Sequence, residues 1–215
     1  ADERREHMYT NGIQPYFRAP HILIGTPARF VPSRKKVPEH PHSGISDAVL
    51  MSSRDGIRFE RWEEAFIRPV AEPEVWTDRN NYPALGVIQT SPTEMSLYWT
   101  EHYKHAIPRI RRGTLRLDGF VSVHAGSEKG EMLTRPFVFE GGRLTVNYAT
   151  SAAGSLRFAM CDKDGNPVKG FAMGDSEALF GNEITHTVTW KGNSDVSGLA
   201  GRPVRLRVRL HDADL

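Results

Sequence analysis

From Val204 to Leu210 the chain reads VRLRVRL, with Val204, Leu206, Val208 and Leu210 on one parity and Arg205, Arg207 and Arg209 on the other. Successive side chains of a strand point to opposite faces, so this period of two makes one buried face and one wet face. A helix would scatter the same residues around its circumference. The stretch therefore commits its part of the chain to an antiparallel sheet that is packed on one side. The arginine row has two readings: a stripe for phosphates, or a solvated face with cross-strand carboxylate partners. A net charge of +2 over 215 residues favours the second and argues against a nucleic-acid partner.

Strand signals recur along the whole chain, and helical periodicity is nearly absent. PHILIG (20–25), DAVLMSS (47–53), IRFERW (57–62), ALGVIQT (84–90) and EMSLYWT (94–100) form one series. TLRLDGFVSVHA (114–125), MLTRPFVFE (132–140), RLTVNYAT (143–150), SLRFAMCD (155–162), EITHTVTW (183–190) and PVRLRVRLHD (203–212) form another. The best helical candidate, RWEEAFI (61–67), is two turns at most. Within SSRDGIRFERW (52–62), Asp55-Gly56 marks a tight turn, because glycine accepts φ > 0 and the Asp side chain caps nearby backbone N–H groups. Residues 31–46, VPSRKKVPEHPHSGIS, carry prolines and mixed charge without periodicity and read as an exposed loop.

A weak repeat organises the first hundred residues. FRAPHILIGTP (17–27) and RNNYPALGVIQTSP (79–92) share an Arg, a nearby Pro, a Gly-containing apolar strand and a Thr/Pro stop. Each precedes a second apolar strand, DAVLMSS or EMSLYWT. This spacing suits one propeller blade plus a long loop, and two blades alone do not close a ring. After HAIPRIRRG the strands lengthen and the turns become glycine-based (EGGR, SAAGS, DKDGNPVKG), as in a two-sheet β-sandwich. The expected fold is thus all-β: residues 1–107 as about two propeller blades, then residues 108–215 as a β-sandwich.

Several function classes are disfavoured. The single cysteine, Cys161, supports neither a disulfide framework nor a C-x-x-C zinc pair. No apolar run approaches the ~20 residues of a membrane span, so no membrane partner is expected. The first residues, ADERREHMYTNG, contain no apolar signal-peptide core. Because the sequence starts with Ala and stops inside a strand-like pattern, it reads as a piece of something longer. His7, His40 and His42 have the spacing of solvated loop histidines rather than of a metal site. Asp162, Asp164 and Asn166 resemble part of a calcium loop, but Met173 stands where the twelfth-position Glu belongs, and a hairpin turn is the better account. No metal and no cofactor is expected.

YFRAPHILIGTPARF, VLMSSRDGIRFERW and WTDRNNYPALGVIQTSPTEMSLYWTEHY resemble the late blades of a five-bladed β-propeller of the glycoside hydrolase-like proteins related to families 32 and 43. The segment from TLRLDGFVSVHAG to LHDADL resembles the C-terminal β-sandwich of those proteins. The resemblance implies a carbohydrate-active parent, secreted or periplasmic, whose N-terminal blades, or another copy, complete the propeller. In those hydrolases the catalytic acids lie largely on the first three blades, which the resemblance implies this chain lacks. RAPH also has Ala19 where the Arg-Asp-Pro motif of family 32 has its acid. The isolated chain is therefore expected to be inactive.

The same resemblance places Arg18, His21, Arg79, Asn80 and Asn81 near an axial pocket, at the start of inner strands, as sugar-binding groups. The returning strand brings Glu101 and His102 back to that rim, with Glu101 as the candidate general acid or base. Should the chain turn over a glycoside, Asp47 and Asp78 join Glu101 as the positions to change. Trp62, Trp76 and Trp99 are read as inter-blade core. The rival reading is a non-catalytic carbohydrate-binding or structural β module.

Overall fold

The computed structural model describes residues 6–215. Strand makes up 48% of it and helix 3%. Both helical pieces are single 3₁₀ turns, Pro73–Val75 and Ser197–Leu199, so the chain is all-β. It divides into two compact units between Leu117 and Asp118. The expected break at 107/108 falls too early, because Arg109–Arg116 pairs residue for residue with Glu94–Glu101 and so belongs to the first unit.

The first unit opens with β1 (His7–Tyr9), β2 (Gln14–Tyr16), β3 (Ala19–Gly25), β4 (Ala28–Val31), β5 (Ile45–Ser53) and β6 (Glu60–Ile67), joined in one antiparallel sheet. Short interruptions hide a simpler order. β3 and β4 both pair β5, one at Met51–Ser53 and the other at Ile45–Ala48. They are one ribbon broken at Thr26-Pro27, where proline has no N–H to give the ladder. β1 and β2 likewise run along β4 and β3, broken where Thr10 and Gly12 take positive φ. The sheet is thus a meander of β1/β2, β3/β4, β5 and β6. A second, smaller meander follows: β7 (Tyr82–Pro83) and β8 (Ile88–Gln89) both pair β9 (Glu94–Glu101), which pairs β10 (Arg109–Arg116). Each half of the sequence repeat thus forms a ribbon paired to the apolar strand that follows it.

Side-chain chemistry fixes the turns. Asp55 Oδ1 accepts the N–H groups of Ile57 (2.9 Å) and Arg58 (2.8 Å), and Ser53 Oγ accepts that of Gly56 at 2.9 Å. These bonds draw the Asp55 carboxyl below the usual carboxylate range, the Arg58 N–H contributing most. Across the β4–β5 ladder Arg29 faces Asp47 and grips it with two bonds of 2.9 and 2.6 Å. RWEEAFI, the helical candidate, lies in β6, because pairing with β5 outweighs a two-turn helical pattern. ALGVIQT is strand only at Ile88–Gln89, since Gly86 turns the ribbon with φ 77°.

The long loop after β4 closes on itself, with Gly44 N–H donating to the Arg34 carbonyl at 2.7 Å. Gly44 has φ 101°, and a Cβ there would overlap the Phe30 ring. Gly44→Ala is expected to destabilise the chain by about 2 kcal/mol or more, through strain and overpacking together. A denaturant titration checks this; a change under about 0.5 kcal/mol would show that the loop base yields freely.

The second unit contains β11 (His124–Ala125), β12 (Gly130–Leu133), β13 (Thr145–Asp162), β14 (Asn182–Thr187) and β15 (Val204–Asp214) in one antiparallel sheet. Its apolar face is covered by irregular segments rather than by a second regular sheet. Val196, Leu199 and Trp190 from these segments pack with Phe158, Val208 and Leu210. The Trp190 indole N–H donates to the Phe158 carbonyl at 2.9 Å, which satisfies its polar end inside the core. On β15, Val204, Val208 and Leu210 are buried while Arg209 is exposed, and Glu131 lies across from Arg209 and Arg207 at 3.3 and 3.6 Å. The buried parity shifts to Ala213 past Asp212, whose φ is 45°, opposite a bulge in β13 between Thr150 and Ser155. Asp162–Asn166 forms the expected hairpin turn, with Asp162 Oδ1 accepting the N–H groups of Asp164 and Asn166.

Candidate functional site

Within the first unit, loop ends and strand ends enclose an open cleft of about 460 Å³ lined by Tyr9, Phe30, His42, Ser43, Asp78, Arg79, Tyr82 and Lys104. Tyr9 ends β1, Phe30 lies on β4 and Tyr82 starts β7. The Tyr9 ring lies 6.2 Å from both the Phe30 and Tyr82 rings, edge-on to the first and tilted to the second. Burial raises the Tyr82 phenol above its usual range, so it remains a neutral hydroxyl.

Among the described residues, Asp78 is the only carboxylate lining the cleft. It is 5% exposed, and its Oδ1 accepts no hydrogen bond from any described residue. The His40 Nε2 stands 3.7 Å from that oxygen, too far to bond. The other oxygen, Oδ2, accepts the Lys104 ammonium at 3.2 Å, with Arg79 Nε at 3.8 Å. Arg79 is itself held over the Tyr103 ring at 5.9 Å. Arg79 and Lys104 both have φ 62°, a left-handed backbone that non-glycine residues rarely adopt. Two strained positions therefore bracket one buried acceptor.

Asn80 and Asn81 hold this corner rather than line it. Both are fully buried. Asn80 Oδ1 accepts the Tyr103 N–H at 3.0 Å and its amide donates to Thr77 Oγ1 at 2.7 Å, tying the Asp78 turn to the Lys104 turn. Asn81 donates to the Ser46 carbonyl at 2.9 Å and its backbone N–H to Thr100. Arg18 and His21 are exposed, at the β2–β3 turn and on β3, and neither lines the cleft.

Glu101 sits in a different cluster. It is 1% exposed, and its carboxylate accepts from Arg109 Nε at 2.9 Å and Trp99 Nε1 at 3.0 Å, with Arg111 Nε at 2.7 Å. Burial pushes its pKa up, but Arg111, Trp99 and Arg109 together pull it further down, so it is a fixed anion. A group held this way is poorly suited to proton transfer near neutral pH. Glu72 bridges the same two arginines and accepts from His102 Nε2 at 3.0 Å. Asp47 is likewise engaged, by Arg29. Trp99 packs on the apolar cluster of Ala48, Ile67 and Leu97. Trp76 lines a second cleft with Arg34 and Arg68.

Of the residues read from the sequence as the binding site, Arg79 is brought to the cleft, whereas Arg18, His21, Asn80, Asn81 and His102 are not. Tyr9, Phe30, Ser43 and Lys104 carried no signal, because they reach the cleft from separate elements. Tyr82 had one: it is the repeat partner of His21. No three His, Cys, Asp or Glu side chains among the described residues are grouped to hold a metal ion. Comparison with protein-family models, with curated proteins and with solved structures matches the chain to none of them.

Proposed function

We propose that this chain is a carbohydrate-binding part of a glycoside hydrolase-like protein, and that it holds sugar in the Asp78 cleft without cleaving it. The observation that carries this reading is the Asp78 carboxylate, flanked by Lys104 and Arg79 in a cleft whose lining includes the rings of Tyr9, Phe30 and Tyr82. Sugar hydroxyls are donors of the needed kind, and the C–H face of a pyranose packs on tyrosine. On this reading the two meanders are propeller blades, to which further blades of the same protein or another copy add. The same reading makes the second unit, a sheet with an irregular facing layer, the counterpart of the C-terminal sandwich. Such a parent would work outside the cytoplasm, as the resemblance implies.

Hydrolysis needs two carboxyls about 5–5.5 Å apart for retention or 6.5–9.5 Å for inversion. Among the described residues Asp78 has no such companion lining its cleft. Calorimetric titration of the full chain with a panel of oligosaccharides is expected to give dissociation constants of about 1 mM or tighter. Tyr82→Ala is expected to weaken binding about ten-fold while aryl glycosides remain uncleaved. Absence of binding across the panel, or binding indifferent to Tyr82→Ala, overturns the reading. Turnover at about 1 per second or faster overturns its non-catalytic part.

A further inference from the structure

We infer that the Asp78 cleft is selective for an anionic sugar, one whose ring carries a carboxylate or a sulfate. This inference rests on the carbohydrate reading above and narrows it. Two cationic residues, Arg79 and Lys104, line the cleft against the single carboxylate of Asp78. Among the described residues of the lining, the formal charges of these three leave one positive charge in excess. Asp78 does not consume both cations. Lys104 bonds its Oδ2 at 3.2 Å, whereas Arg79 stands 3.8 Å away, outside hydrogen-bonding distance. The Arg79 side chain is 57% exposed, its guanidinium carbon lies 5.9 Å from the Tyr103 ring centroid, and the Tyr103 side chain takes a hydrogen bond from it.

The cleft thus offers three complementary parts. Asp78 Oδ2, on the side of Lys104 and Arg79, accepts from a hydroxyl, the Arg79 guanidinium donates to an anion, and the rings of Tyr82 and Tyr9 receive an apolar sugar face. A neutral sugar uses the first and third but leaves the guanidinium facing water. An inorganic anion uses only the second. An anionic sugar uses all three. The left-handed backbone at Arg79 adds an independent indication. Glycine adopts that conformation without strain, so a long cationic side chain at this position is held there against local preference, as happens where a side chain serves a site.

The test measures binding of galacturonic acid oligomers, sulfated galactose oligomers, neutral galactose oligomers of equal length and inorganic sulfate to the full chain. At least one anionic oligomer is expected to bind ten-fold or more tightly than the neutral one, and the advantage should shrink as salt rises from about 0.05 to about 0.3 M. Arg79→Gln should abolish the advantage, with anionic binding falling by more than any fall in neutral binding. Arg79→Gly should abolish it with no fall in melting temperature, which separates loss of the side chain from loss of the fold. Equal binding of neutral and anionic oligomers overturns the selectivity and leaves the carbohydrate reading standing. Sulfate binding as tightly as any oligomer, or an advantage that survives Arg79→Gln, also overturns it. Failure of every oligomer to bind overturns the carbohydrate reading itself, and the selectivity with it.

Discussion

Val208→Asp is expected to unfold the unit that begins at Asp118. Val208 is fully buried, pairs with Phe158 across β13 and β15, and belongs to the cluster around Trp190. An aspartate there has no cation within the apolar cluster to pair with and loses its hydration, at a cost of about 4 kcal/mol or more. That is most of a stability of about 5–15 kcal/mol. Hydrogen exchange followed by mass spectrometry should show residues 118–215 losing protection. Arg209→Gln, one residue away on the exposed parity, should cost less than about 1 kcal/mol because its pairing with Glu131 is open to water. Equal loss from both substitutions would mean that the strand phase is not what holds this unit.

The second large effect belongs to Glu101. Glu101→Gln removes the charge from a site 1% exposed and leaves Arg109 and Arg111 with only the half-exposed Glu72 as an anion. Both guanidiniums are about a third exposed, so the loss is expected at about 2–3 kcal/mol, below that of a fully buried pair. The pH dependence carries the sign. The folded-state pKa of Glu101 is lowered, so its contribution is fully present above the unfolded carboxyl pKa of about 4.3 and is lost as pH falls through the folded value. Wild type should therefore lose stability steeply on acidification, and Glu101→Gln should lose less over the same range. Parallel acid limbs for the two proteins would show that Glu101 is not held as an anion.

Local rules made much of the fold legible. The alternation of β15 survives as read from Val204 to Leu210, and the Asp55 and Asp162 turns form through the side-chain bonds their residue types imply. What eluded the sequence depends on pairing. The parity shift at Asp212 is set by a bulge across the ladder in β13, and RWEEAFI is drawn into β6 by β5. The site was legible at one residue, Arg79, and at the turn that contains it. The neighbours Asn80 and Asn81 have the chemistry of sugar ligands, but both are fully buried, with the Asn80 oxygen accepting the Tyr103 N–H and the Asn81 NH2 group donating to the Ser46 carbonyl. Nothing in a linear pattern distinguishes an asparagine that meets a ligand from one that satisfies a carbonyl. Glu101 shows the same limit, since its arginine partners lie on the next strand, β10, and only the register brings them opposite.

The closure of the loop after β4 has a consequence for how such a protein diversifies. The Gly44–Arg34 bond and the Val31–Ile45 strand pair isolate the intervening chain from the sheet, like a bight of rope tied off at its neck. Exposed segments beyond that neck, away from His40, which is buried beside Asp78 and His105, can be lengthened at a cost of only about 0.6 kcal/mol per doubling while the β4–β5 ladder stays paired. Yet His42 and Ser43, from within the bight, form one wall of the cleft. Ligand preference can therefore drift by insertion and deletion in one appendage, while Asp78, Arg79 and the strands that hold them stay as they are.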